Sequence, residues 1–119
     1  MSSFYISDDT TRDDVVVLVA GGEIDYAASP HLRECMLAHI KANRQRLVLD
    51  LSWATFIDST AIGVLTGAAT KLRKADGGSL AVVCTHEKVL QIFAISGLES
   101  VISLYSSCEE AISALAVAG

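Results

Sequence analysis

Asp58-Ser59-Thr60 sets a carboxylate and two hydroxyls where an apolar run, Leu47-Val48-Leu49-Asp50-Leu51, gives way to helical spacing. The leading N–H groups of a helix lack internal partners, and the macrodipole gathers partial positive charge there. A phosphate on Ser59 would be tolerated at such a place and would change the surface sharply. This chemistry is that of a phosphorylation switch. The same hydroxyl as a nucleophile would need a base, and the candidates are His31, His39 and His86. None is placed by sequence to serve Ser59, and the G-x-S-x-G elbow is missing, so no catalytic residue is assigned.

The other reactive side chains give weaker patterns. Cys35, Cys84 and Cys108 and the three histidines show no metal-ligand spacing, so no metal site is expected. Asp8, Asp9, Asp13 and Asp14 lack the calcium-loop pattern and are read as a solvated turn. No Walker A or G-x-G-x-x-G segment occurs, and no cofactor is expected. Three cysteines without a C-x-x-C pair fit small core residues of a reducing cytoplasm. The start, Met1-Ser2-Ser3-Phe4-Tyr5, lacks the basic and apolar regions of a secretory signal.

The formal net charge is −5, and the basic residues are scattered. The densest group is Arg44 and Arg46 with Lys71, Arg73 and Lys74. Nucleic acid and membrane are therefore disfavoured as partners. No apolar run approaches the ~20 residues of a spanning helix. At 119 residues and 51% hydrophobic content, the chain is expected to be one domain, 1–119.

The elements that must position Ser59 follow from periodicity. Residues 4–7 read as an edge strand and Val15–Val19 as the next, broken at Gly21-Gly22. Ser29-Pro30 marks a helix start, with Ser29 as its cap, and helical spacing continues to about residue 42. A strand at 46–51 leads into a loop with Trp53 and Phe56, then a helix over 59–75 closed by Gly77-Gly78 in a left-handed cap. A strand at 80–84, a helix over 86–95 stopped at Gly97, a strand at 101–104 and a last helix opened by a Ser107/Glu110 capping box complete the order. Alternation from residue 44 onward predicts an α/β fold, with a mixed, mostly parallel sheet of about five strands and about four helices.

At 100° per residue, Ala61, Ile62, Leu65, Ala68, Ala69 and Leu72 share one face of the switch helix, which must be its core face. Ser59, Gly63, Thr66, Gly67, Thr70 and Lys74 line the opposite side. Exposed helix faces usually carry long charged residues, whereas each glycine costs about 1 kcal/mol against alanine. Two explanations stand: another protein's backbone approaches closely here, or a loop of the same domain does.

Asp58-Ser-Thr-Ala-Ile-Gly-Val-Leu65 resembles the D-S-[ST]-x-[LI]-G-V-L motif of the STAS domain in its anti-sigma factor antagonist form. Gly22-Glu-Ile-Asp25 resembles the family's G-E-[IL]-D segment, Leu47–Leu51 the strand before the motif, and Phe93–Leu98 its F-x-x-[ST]-G-L. The resemblance implies a single STAS domain in the cytoplasm. Unphosphorylated, it binds an anti-sigma factor, commonly a GHKL-type serine kinase, and so frees the sigma factor. The kinase phosphorylates the motif serine, here Ser59, and a PP2C-type phosphatase reverses it. The partner-binding residues would be Asp25, Asp58, Ser59, Thr60, Gly63, Thr66 and Gly67. A non-catalytic scaffold subunit of a larger signalling assembly is the alternative. Two departures are Ala28-Ser29, where the family often has Thr-Ala, and Ala61, where it usually has glycine.

Overall fold

The computed structural model describes residues 3–12, 14–75 and 77–117. The chain runs β1 (Tyr5–Arg12), β2 (Val15–Ile24), α1 (Ser29–Lys41), β3 (Arg46–Asp50), β4 (Ala54–Ile57), α2 (Ser59–Lys74), β5 (Ser79–Val83), α3 (Glu87–Ser96), a 3-10 turn (Leu98–Ser100), β6 (Ser103–Tyr105) and α4 (Cys108–Val117). The sheet has six strands in the order β1-β2-β3-β5-β6, with β4 paired separately to β2. Among the described residues only β1 is antiparallel, to β2; the other pairings are parallel. The α/β class and four helices match the expectation from sequence, with one strand more.

Strand alternation sorts the core into two layers. Val16, Leu18, Leu47, Leu49, Leu80 and Val82 point to the side covered by Leu32 and Met36 of α1, Leu65 and Leu72 of α2, and Phe93 of α3. Val15, Val17, Val48, Ala81 and Val83 point to the other side, covered by Ala111, Ile112 and Leu115 of α4. Three helices thus share one face, and among the described helices α4 alone covers the second.

The strands depart from the sequence reading in one connected way. Gly21-Gly22 does not end β2. The strand passes through both glycines, leaving β3 after Val19↔Asp50 and taking up β4 at Gly22↔Ala54, Glu23↔Phe56 and Ile24↔Ile57. Gly22 has φ +80°, and a Cβ on it would fall onto the Ser3 carbonyl oxygen. A Cβ on Gly21 would meet the Tyr5 ring. The glycines therefore let β2 change neighbours. We expect Gly22→Ala to lower unfolding stability by about 2 kcal/mol or more, read from the urea midpoint.

The other differences are local. β1 extends to Arg12, so Asp8 and Asp9 lie in a strand and not in a turn. Ser29 is the first helical residue of α1, not its cap; the cap is Ala28. The Ser29 hydroxyl instead donates to the Asp25 carbonyl at 2.9 Å. α2 ends at Lys74 followed by an extended Ala75, so the left-handed Gly77 shapes the turn beyond the helix. Gly97, with φ +72°, does end α3 as expected, and Leu98 is buried behind it. Ser107 Oγ accepts from the Glu110 N–H and donates to its carboxylate, both at 3.2 Å.

Candidate functional site

The parallel register of β2 and β4 decides where the acidic residues stand. Ile24 and Ile57 are paired, so Asp25 and Asp58 follow at adjacent strand ends. The Asp58 N–H donates to the Ile24 carbonyl at 3.3 Å and holds the two ends together. Both carboxylates then act on their own loops. Asp58 is the N-cap of α2, accepting from the Ala61 N–H at 3.0 Å. Such a cap stabilises a helix by about 1 kcal/mol. Asp25 Oδ1 accepts from the N–H groups of Ala27 and Ala28, both at 3.1 Å, and closes the turn into α1. Each is half-buried and fixes the backbone beside it.

Ser59 and Thr60 open α2 and are both exposed. Among the described residues the Ser59 hydroxyl has no hydrogen-bond partner. It is free to be modified without breaking an internal contact. Along the same helix Gly63 and Gly67 are exposed, and a Cβ built on either meets nothing within 4 Å. No loop of the described chain packs on them, so of the two explanations for the stripe the internal one fails. The hydroxyls of Thr66 and Thr70 turn back to the carbonyls of Ile62 and Thr66, at 2.9 and 2.8 Å. Their polar atoms are consumed by the helix, and the face becomes smoother and less polar than its residue types suggest.

This face borders a groove of about 380 Å³ between α1 and α2, whose lining includes Met36, Leu37, Val64 and Ala68 together with Arg33 and Lys71. Ser59 itself borders a second depression, between β4 and α3. The five expected core residues Ala61, Leu65, Ala68, Ala69 and Leu72 are buried. Ile62, the sixth, is half-buried: it packs against the core and also lines that second depression.

A family model for the STAS domain matches residues 7–111. The chain belongs to the STAS-domain family. This STAS domain is 35% identical over 100 residues to the anti-sigma-B factor antagonist of Bacillus subtilis (strain 168), covering 82% of this chain and 87% of that protein. It is similar to the crystal structure of an anti-sigma factor antagonist from Mycobacterium paratuberculosis, with TM-score 0.83 and 25% identity over 97% of this chain and 94% of that one. It also shares its fold with the phosphorylated form of the Bacillus cell fate determinant SpoIIAA, with TM-score 0.68 and 20% identity over 93% and 99% of the two chains.

The STAS scaffold thus brings Asp25, Asp58, Ser59 and Thr60 to one end of the molecule and aligns Gly63, Thr66 and Gly67 behind Ser59. Large apolar groups outside the motif positions are also exposed, among them Tyr26 beside Asp25, Trp53 and Phe56 around β4, and Ile95 on α3. Tyr26, Trp53 and Phe56 could have been noticed as aromatic residues in polar segments. Ile95 had no such signal.

The histidines stand apart from Ser59 in their bonding. His31 stacks on Phe4 with ring centroids 6.4 Å apart. His86 precedes α3, and its Nδ1 is buried with no hydrogen-bond partner among the described residues. His39 joins a cluster that spacing had concealed, since Asp8 is far from Cys35 and His39 in sequence. The ligand atoms of Asp8, Cys35 and His39 lie within 4.8 Å of one another. Arg44 Nη1 lies 3.0 Å from His39 Nδ1, and a guanidinium can only donate. The ring proton is then on Nε2 and points at Asp8 Oδ1, 3.0 Å away. That tautomer leaves no lone pair on the nitrogen that faces Asp8 and Cys35, so the set works as a hydrogen-bonded chain tying β1 to α1. The His39 hydrogen bond holds the Asp8 carboxyl below its ordinary pKa. Burial, with the Asp8 charge second, pushes the Cys35 thiol up to about 11. Cys35 is thus a thiol at neutral pH, poorly suited to nucleophilic or redox work. Burial raises the Cys84 thiol as well.

Proposed function

We propose that this chain is an anti-sigma factor antagonist of the cytoplasm, formed as one STAS domain. Its unphosphorylated form binds an anti-sigma factor, in our reading a GHKL-type serine kinase, and so releases the sigma factor. Phosphorylation of Ser59 ends the complex, and a PP2C-type phosphatase restores it. The relative from Bacillus subtilis carries the antagonist's name, and the family's switch motif supplies the roles. The observation that carries the reading is Ser59: an exposed, unbonded hydroxyl on the first turn of α2, in front of an open glycine face.

We read the site as one for binding and modification. Among the described residues no base is hydrogen-bonded to Ser59, and the adjacent carboxylate, Asp58, is engaged as a helix cap. Asp25, Asp58, Thr60, Gly63, Thr66 and Gly67 would meet the partner around it. A direct test is incubation with candidate kinase and ATP followed by intact-mass measurement. One added phosphate, absent from the Ser59→Ala protein, is expected. Phosphorylation that persists in Ser59→Ala would move the site elsewhere, with Thr60 first in line. An unmodified protein forming stable multimers would favour the scaffold role.

A further inference from the structure

The second depression beside Ser59 is as telling as the glycine face. It has a volume of about 410 Å³, and its walls include Phe56, Ile62, Ile92 and Ile95, with Asp58 and Ser59 completing the rim. Ile95 is 86% exposed and Phe56 43%. Ile95 stands almost bare, and Phe56 keeps nearly half of its surface open. An isolated exposed isoleucine needs no explanation, but several apolar groups around one concavity mark a contact surface.

We propose that this crevice between β4 and α3 receives a bulky apolar side chain of the anti-sigma factor, set beside a basic residue that meets Asp58. This rests on the docking reading given above and extends it to the opposite side of Ser59 from the α1/α2 groove. Three observations select that occupant. The crevice shares Ser59 and Asp58 with the docking face, so whatever covers the one reaches the other. Its lining is apolar apart from Ser96 and that rim, and its one charged residue, Asp58, is negative. A second copy of this chain would set acidic rims and a net charge of −5 against themselves, and an anionic lipid surface would be repelled in the same way.

The proposal also gives the phosphate a definite penalty. Ser59 lies on the crevice rim, so a seated apolar group strips water from one side of its hydroxyl. A dianion placed there would lose its hydration against an apolar group, while the basic residue nearby is already engaged by Asp58.

The test is calorimetric titration of the purified anti-sigma factor that Ser59→Ala captures. It is run against wild type, Ile95→Asp, Ile95→Leu and Gly67→Leu, with melting temperatures alongside. Because Ile95 is exposed, its variants are expected to melt like wild type. Loss of a central apolar anchor predicts about 30-fold or more weaker binding for Ile95→Asp. Ile95→Leu keeps the apolar bulk and is expected within about threefold of wild type. If Ile95→Asp binds like wild type while Gly67→Leu does not, the crevice proposal is overturned and the docking reading stands. If Ile95→Asp alters only self-association in sedimentation, the occupant is a second copy and the proposal is wrong. If wild type itself does not bind an anti-sigma factor, the docking reading fails and the crevice proposal goes with it.

Discussion

Phosphorylating Ser59 is expected to weaken anti-sigma factor binding by roughly 30- to several-thousand-fold while leaving the melting temperature of the free protein unchanged or slightly higher. The two halves of that result have different causes. In the free protein the phosphate, with about −1.5 to −2 charges, sits on an exposed first turn of α2. Unpaired N–H groups and water solvate it there, and an anion at this end of a helix is worth about 0.3–1 kcal/mol. In the complex it is enclosed beside Asp58, against a partner surface already matched to an acidic rim. Burying an unmatched charge at an interface costs about 2–5 kcal/mol, and 1.4 kcal/mol is a decade in affinity. The domain need not refold for the switch to work.

Paired titrations of phosphorylated and unphosphorylated protein, with melting curves of each, check this directly. Ser59→Ala is expected to bind like the unmodified protein and to stay bound when ATP is added. Ser59→Asp carries one charge and is expected to fall between. Phosphoprotein that binds within about threefold of the unmodified form would remove Ser59 from the switch. A large drop in melting temperature would mean that the phosphate acts by unfolding α2 and not by repelling the partner.

The parts of this site that lie along one helix could be read from the sequence, and the parts built across strands could not. The spacing of Ala61, Leu65, Ala68, Ala69 and Leu72 fixed which side of α2 is buried, and the opposite side followed by rotation. The cap at Asp58 and the exposed Ser59 belong to the same local code. By contrast β4 has only four residues, with an exposed Thr55 and Phe56 between its buried ends. Such a run carries little periodic signal, and its partner is the far half of β2 beyond two glycines. The aspartates and threonines of β1 resembled a turn because that strand is an edge with little apolar pattern. The Asp8–His39–Arg44 chain and the crevice at Ile95 depend on residues brought together only by tertiary packing.

Gly63 and Gly67 yield the second large effect, in which stability and binding move in opposite directions. Each glycine sits inside α2 where it lowers helix stability by about 1 kcal/mol against alanine. A Cβ at either position meets nothing in the described chain, so no internal clash opposes substitution. Gly63→Ala and Gly67→Ala are therefore expected to raise unfolding stability by about 1 kcal/mol each. Leucine is also a good helix former, and its side chain at either site would project over the α1/α2 groove. If a partner's backbone packs against this face, the added bulk enters a close contact. Overpacking costs about 1–3 kcal/mol, which is about 5- to 150-fold in affinity. Chemical denaturation and titration of the same variants separate the two effects. Greater stability with unchanged affinity would mean that the glycines serve no docking purpose. Lower stability would mean that this face is covered within the chain itself. Greater stability with lost binding is the result that a surface kept bare for a partner requires, because only a contact outside the folded chain can favour two residues that the fold alone would select against.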